Sequence, residues 1–508
     1  MNYLKTLKAK PKALPSLTNI LTDDQASESD ISTRFTQLRE IIISNQANLP
    51  VLIDNLNLIS SNLNLILVKW RRSTQLGQIL FTIPWRNLVF KDQAGLDLLT
   101  CLLDMLSDMI AITPSFIQPI IKNIILKIYL GDISDGTGDK LSSAESHVFQ
   151  RTHTFMKELV ETYPSASQLI TGLIGSNFPH YITSTSHGYI SYLTNILASI
   201  DYLLDTYDIL NTVVDKLIWL ELSSYKVAGD NKVDNSKADT SANDVDLSVK
   251  CFSLFDIGFD LFLNKVHYLL HPDGHAYDFT KAETAINALE DIFFHQVINI
   301  EALINLPFTL VYWSSFSEDL CERTLERLWY NTINYPDKSN QRTVLLLASM
   351  MVEASYIKTD HVLIFLENAI NWALGYSESY SDVIIDENFN PNVHSIFYAV
   401  TQSIFYLISC KISDFSQIQL KSLRLLNLQS LITAKLNPLL YCLPTIVEQF
   451  VAIAKEHQIA LCSIVVDRNK RLGLDVSTFF NHSLCYYFPF NSCTFQIASP
   501  KFDNILCY

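Results

Sequence analysis

Residues 92–112, DQAGLDLLTCLLDMLSDMIAI, place Leu96, Leu99, Leu103, Leu106 and Ile110 at spacings of three and four. That period lays them along one stripe of an α-helix and puts Asp97, Asp104 and Asp108 on another face. Thr113-Pro114 follows, a capping residue and then a proline at the first helical position, and a second apolar helix is expected over about 114–130. The pair reads as a helical hairpin. A face this apolar must be buried against further helices of the same kind.

The layout recurs. Helical patterns fall near 145–161, 164–174, 187–204, 206–220, 247–270, 280–298, 318–333, 340–355, 359–374, 392–410, 414–433 and 440–457, punctuated by prolines such as Pro84, Pro164, Pro272, Pro336, Pro391 and Pro438. Only 13 glycines and 16 prolines occur in 508 residues, 48% of which are hydrophobic, so long helices suit the chain better than many short strands. A single core stops growing at about 250–300 residues, so the chain must divide or elongate. Helix pairs about every 40–47 residues predict an all-α, HEAT/armadillo-like α-solenoid of roughly ten helical repeats.

Two polar stretches interrupt the pattern, 131–146 and 226–248. The expected organisation is a disordered basic tail over 1–30, carrying Lys5, Lys8, Lys10 and Lys12, and an N-terminal solenoid half over 31–225. A disordered polar loop over 226–248 and a C-terminal half over 249–508, ending in an aromatic segment, complete it. The uncharged run 388–410 holds Asn, Pro, His, Thr, Gln and Ser, too polar for a membrane span, and reads as a buried helix.

The net charge of −15 argues against unaided nucleic-acid binding, which needs a basic face to neutralise phosphates, and suits a basic protein partner. Nine cysteines without a paired spacing read as free thiols, several within apolar runs: Cys101, Cys410 and Cys462. Gly131, Gly136, Gly138 and Lys140 lack the Gly-Lys-Ser/Thr of a phosphate loop, since Asp139 precedes the lysine. His271-Pro-Asp-Gly-His275 reads as a turn rather than a metal site. The clusters Lys69-Trp70-Arg71-Arg72 and Arg468-Asn469-Lys470-Arg471 read as solvated helix ends, where cations complement the macrodipole. No catalytic motif, metal-ligand set or cofactor signature is found, and no catalytic, cofactor-binding or metal-binding residue is assigned.

Thr183, Ser184, Thr185, Ser186 and Ser191 form a hydroxyl-rich run after Phe178-Pro179. Such runs cap helices, and they also accept phosphate, which adds nearly two negative charges.

Near the C-terminus three groups stand in order: Leu436, Asn437, Pro438, Leu439, Cys442, Leu443 and Pro444; then Asp467, Arg468 and Asn469; then Tyr487, Phe488, Pro489 and Phe490. Between the first two runs an amphipathic helix with Leu443, Ile446, Val447, Phe450, Val451 and Ala454 on its stripe. This succession resembles the RNA polymerase I-specific transcription initiation factor family (transcription initiation factor I-A). Leu325-Glu-Arg-Leu-Trp329 before Pro336, and Ser395-Ile-Phe-Tyr398, look like the middle repeats of that family. Asn491-Ser492 departs from its Asp-Pro, and the 226–248 loop mixes Lys232 and Lys237 with Asp230, Asp234 and Asp239 where the family is strongly acidic.

The resemblance implies a non-enzymatic HEAT-repeat adaptor of the nucleus and nucleolus. It would bind the stalk side of RNA polymerase I and recruit the enzyme to promoter-bound core factor at ribosomal RNA genes. Little direct nucleic-acid contact and no membrane are implied, and a homodimer of the free factor is allowed. A serine-rich surface in the N-terminal half would face the polymerase, which marks 183–186, and its phosphorylation would block docking. The three C-terminal groups are expected to be structural, with Tyr487, Phe488 and Phe490 pinning the tail onto the last helices. Fold class alone leaves one alternative, another helical-repeat scaffold for nuclear transport or vesicle tethering.

Overall fold

The computed structural model describes residues 21, 27–45, 48–133, 142–229, 242–271, 279–300, 302–334, 338–380, 390–471 and 495–506. Among these residues the chain is helical throughout, with no strand and a single isolated antiparallel bridge, Ala354 to Leu506. The helical-repeat fold class expected from the sequence is the one observed. The helices group into two compact units, one of residues 1–216 and 234–254, the other of residues 217–233 and 255–508. The breaks at 216/217 and 254/255 fall inside long helices, Thr206–Gly229 and Ala242–Leu270, which extend into the segment expected to be a loop.

In the first unit the Asp92–Ile112 helix forms with the expected bounds. Its buried face is wider than the predicted stripe, because it packs against both Leu49–Ser61 and Ser143–Thr162. Leu98, Leu102, Met105 and Met109 therefore join Leu99, Leu103, Leu106 and Ile110 in the core, while Asp97, Asp104 and Asp108 stay exposed. Thr113 holds the N-cap position before Pro114, but its side chain makes no capping bond. The helix expected over 114–130 passes instead through a 3₁₀ turn, Pro114–Phe116, and a π-helical turn, Ile121–Ile125. The Lys69–Arg72 cluster does end a helical element, with Trp70 turned inward edge-on to Phe35.

In the second unit Ser395–Lys411 is the central helix, with Lys338–Glu353, Thr359–Ser379 and Pro444–Glu456 packed around it. Burial on all sides explains its all-round apolar sequence. The stretch Pro391–Asp414 is long and apolar enough to cross a membrane, yet 72% of the window is buried inside the protein. Its hydroxyls bond within the structure, Ser403 donating to the Ala399 carbonyl and Thr401 to that of Phe397, both at 2.9 Å. The pattern over 414–433 divides into Gln417–Leu425 and Leu428–Ile432, and that over 440–457 into Pro438–Tyr441 and Pro444–Glu456. Pro444 lacks the N–H needed to continue the first of the latter pair and starts the second.

The C-terminal segment 495–506 returns to the start of this unit. The Asp256 carboxylate accepts from the backbone N–H groups of Gln496 and Ile497, and Lys501 pairs with Asp260. Phe495 and Phe502 pack edge-on against Phe308, at 5.2 and 5.6 Å between ring centroids. Tyr487, Phe488, Pro489 and Phe490 lie outside the described residues, as do Gly136, Gly138, Lys140 and His275. The described part of the tail is anchored by Phe495 and Phe502, which meet Phe259 and Phe308 of this unit.

Candidate functional site

The hydroxyl run sits at a helix start in the first unit. Thr185 is the N-cap of Ser186–Ser199, and its Oγ1 accepts from the Gly188 N–H at 3.1 Å. Thr183, Thr185 and Ser186 are exposed, and Ser184 is half-buried, with its carbonyl accepting from the Lys250 ammonium at 2.7 Å. Ser191 is different: it is 0% exposed, and its hydroxyl meets His187 Nε2 at 3.3 Å. One turn into the helix it faces inward, so neither a kinase nor a partner reaches it. The accessible set is 183–186.

Beneath this corner lies a polar cluster that the sequence reading did not identify. Glu145 closes a capping box with Ser142 at the start of Ser143–Thr162. Its carboxylate also accepts from the Asp132 N–H at 2.9 Å and meets His187 Nε2 at 2.7 Å, with both side chains buried. Burial pushes the Glu145 carboxyl up, but the N–H groups of Asp132 and Ser142 and the His187 imidazole outweigh it and hold it below the usual range. Gly131, at φ +70°, approaches so closely that a Cβ there would lie 2.7 Å from Ser191 Oγ and 2.8 Å from Glu145 Oε1. Arg86 ties off the turn by donating to the carbonyls of Gly131 and Leu130 at 2.6 and 2.8 Å. The Ser142-x-x-Glu145 spacing was the legible signal; the pairing with His187 was not.

The C-terminal groups meet in the second unit. Asn437 adopts the left-handed conformation, φ 48° and ψ 64°, at the cap of Pro438–Tyr441. Its side-chain amide exchanges two hydrogen bonds with that of Asn469, at 2.8 and 3.2 Å. Tyr398 donates to the Leu436 carbonyl at 2.8 Å, and the Leu443 N–H donates to Gln402 Oε1 at 2.9 Å. Cys442 is buried beside Thr401, and burial pushes its thiol up to about 12, so it is an inert packing group. Leu436, Leu439 and Pro438 are buried, Leu443 is half-buried, Pro444 is exposed, and Asp467 and Arg468 are exposed on Ser463–Arg471. A cleft of about 510 Å³ opens beside them, lined by Leu439, Cys442, Pro444, Val447 and Asn469. The first two groups are thus one packed element built on the central helix.

These features define a helical-repeat protein that presents surfaces and grooves. The family is shown by sequence. Residues 3–246 and 221–500 match the profile of the RNA polymerase I specific transcription initiation factor RRN3 family, and the chain belongs to it. It is 22% identical over 488 residues to the RNA polymerase I-specific transcription initiation factor RRN3 of Mus musculus, covering 85% of this chain and 72% of that one. It is also 23% identical over 177 residues to the transcription initiation factor tif-1A of Caenorhabditis elegans, covering 34% and 27%. The fold is similar to the crystal structure of RNA polymerase I transcription initiation factor Rrn3, with a TM-score of 0.75 at 16% identity, over 94% of this chain and 96% of that one.

Proposed function

We propose that this initiation factor is a non-catalytic adaptor, docking RNA polymerase I on its stalk side and recruiting it to promoter-bound core factor at ribosomal RNA genes. Its place of action is the nucleus, within it the nucleolus, and the free protein self-associates as a homodimer. One observation carries the docking reading: Thr183, Ser184, Thr185 and Ser186 lie on an accessible corner fixed from below by the Glu145–His187 pair.

The physics of regulation follows from that position. A phosphate at 184–186 sits at a helix N-terminus, where the macrodipole and free N–H groups favour negative charge. The modification therefore leaves the fold intact and acts on the interface, through repulsion and the cost of burying an uncompensated charge. Ser184→Asp with Ser186→Asp should keep the melting temperature and lower recovery of polymerase subunits in a pull-down. Full recovery would reject the corner as the docking face.

A further inference from the structure

In the second unit the Glu318–Asn334 and Thr359–Ser379 helices leave a cleft of about 260 Å³ between them. Its floor is Leu325, Met351 and Phe365, all buried, with Trp329 half-buried and edge-on to Phe365 at 5.3 Å. Ile364 stands at its mouth, 58% exposed. Glu322 and Glu326, one helical turn apart and both exposed, form the rim with His361, which meets Glu322 at 3.4 Å. The arginines of the same helix turn to its other flank, where Arg323 pairs with Glu290 at 2.8 Å and Arg327 with Asp291 at 3.7 Å.

This separation of charge, with Lys358 paired to Glu318 and His361 beside Glu322, leaves an apolar floor, a half-buried indole and a net acidic rim on one groove. We infer that the groove docks a basic segment of a partner protein. One apolar side chain of that segment fills the cleft, and a neighbouring lysine or arginine lies against Trp329 and reaches Glu322 and Glu326. An ammonium or guanidinium gains twice there, from the ring quadrupole and from charge-assisted hydrogen bonds. The rim repels phosphate, which excludes nucleic acid as the occupant. The surface is separate from the hydroxyl corner and does not depend on the docking reading of that corner.

The test is fluorescence anisotropy with the full chain and a fluorescein-labelled helical peptide of Leu-Lys-Lys-Leu repeats. Glu322→Gln with Glu326→Gln should weaken binding roughly fivefold to tenfold without changing the melting temperature. Ile364→Ser should weaken it several-fold as well. Two controls separate the groove from general attraction to an acidic protein. Glu158→Gln with Glu161→Gln, an exposed pair elsewhere, should leave the affinity unchanged, and the peptide with glutamine in place of lysine should bind poorly. Equal loss from both glutamate pairs, equal binding of the neutral peptide, or no binding by the unaltered chain would overturn the inference.

Discussion

Asn437 and Asn469 exchange two amide hydrogen bonds across 32 residues of sequence, and Asn437 makes them from a left-handed backbone. Asparagine suits this position on both counts, since it tolerates that conformation and carries a donor and an acceptor on one short side chain. Asn437→Ala leaves the Asn469 amide unpaired in a buried setting and strains the backbone. The expected cost is about 2–4 kcal/mol in urea unfolding. Asn437→Gly relieves the strain alone and should be less destabilising than alanine by about 1 kcal/mol. Equal losses would show that the conformation carries no weight.

Gly131 is the second backbone position that constrains residue type. Its positive φ and the closeness of Glu145, His187 and Ser191 leave no room for a methyl group. Gly131→Ala should destabilise the first unit by about 2 kcal/mol or more, read as a lower melting temperature. A neutral result would mean the turn and the polar cluster rearrange freely.

The depressed Glu145 carboxyl predicts a pH dependence with a definite sign. A group held more acidic in the folded state stabilises it fully above the ordinary carboxylate pKa of about 4.3, and that contribution fades as pH falls through the lower folded-state value. The melting-temperature gap between the unaltered protein and Glu145→Gln should therefore be constant near neutrality and narrow below about pH 4. A gap that widened in acid would contradict the hydrogen-bonding account.

Phosphate mapping tests the geometry of the hydroxyl run. Within this run, modification of the folded protein should fall on Thr183, Ser184, Thr185 and Ser186 and spare Ser191. Mass spectrometry after treatment with a serine/threonine kinase of broad specificity reads this directly. Phosphate on Ser191 without unfolding would overturn the inward placement of that residue.

The legible parts of the molecule are those written in local spacing. The stripe over 92–112 and the capping hydroxyl at Thr185 are each contained within a few turns of chain. Leu49–Ser61 escaped because its buried stripe includes a polar residue, Asn55 among Leu52, Leu56 and Ile59. The Glu145–His187 and Asn437–Asn469 pairs escaped because their partners are 42 and 32 residues apart and only the fold brings them together. Ser191 was grouped with its exposed neighbours by composition, and helical phase then turned it into the core. Cys410 went the opposite way: it ends an apolar run yet emerges exposed at the close of the central helix.

Chromatin immunoprecipitation of the tagged chain at ribosomal RNA gene promoters tests the central claim most directly. The account predicts enrichment there together with RNA polymerase I subunits, reduced for both by Ser184→Asp with Ser186→Asp. Absence of the unaltered protein from those promoters, with polymerase still loaded in its absence from the cell, would contradict it.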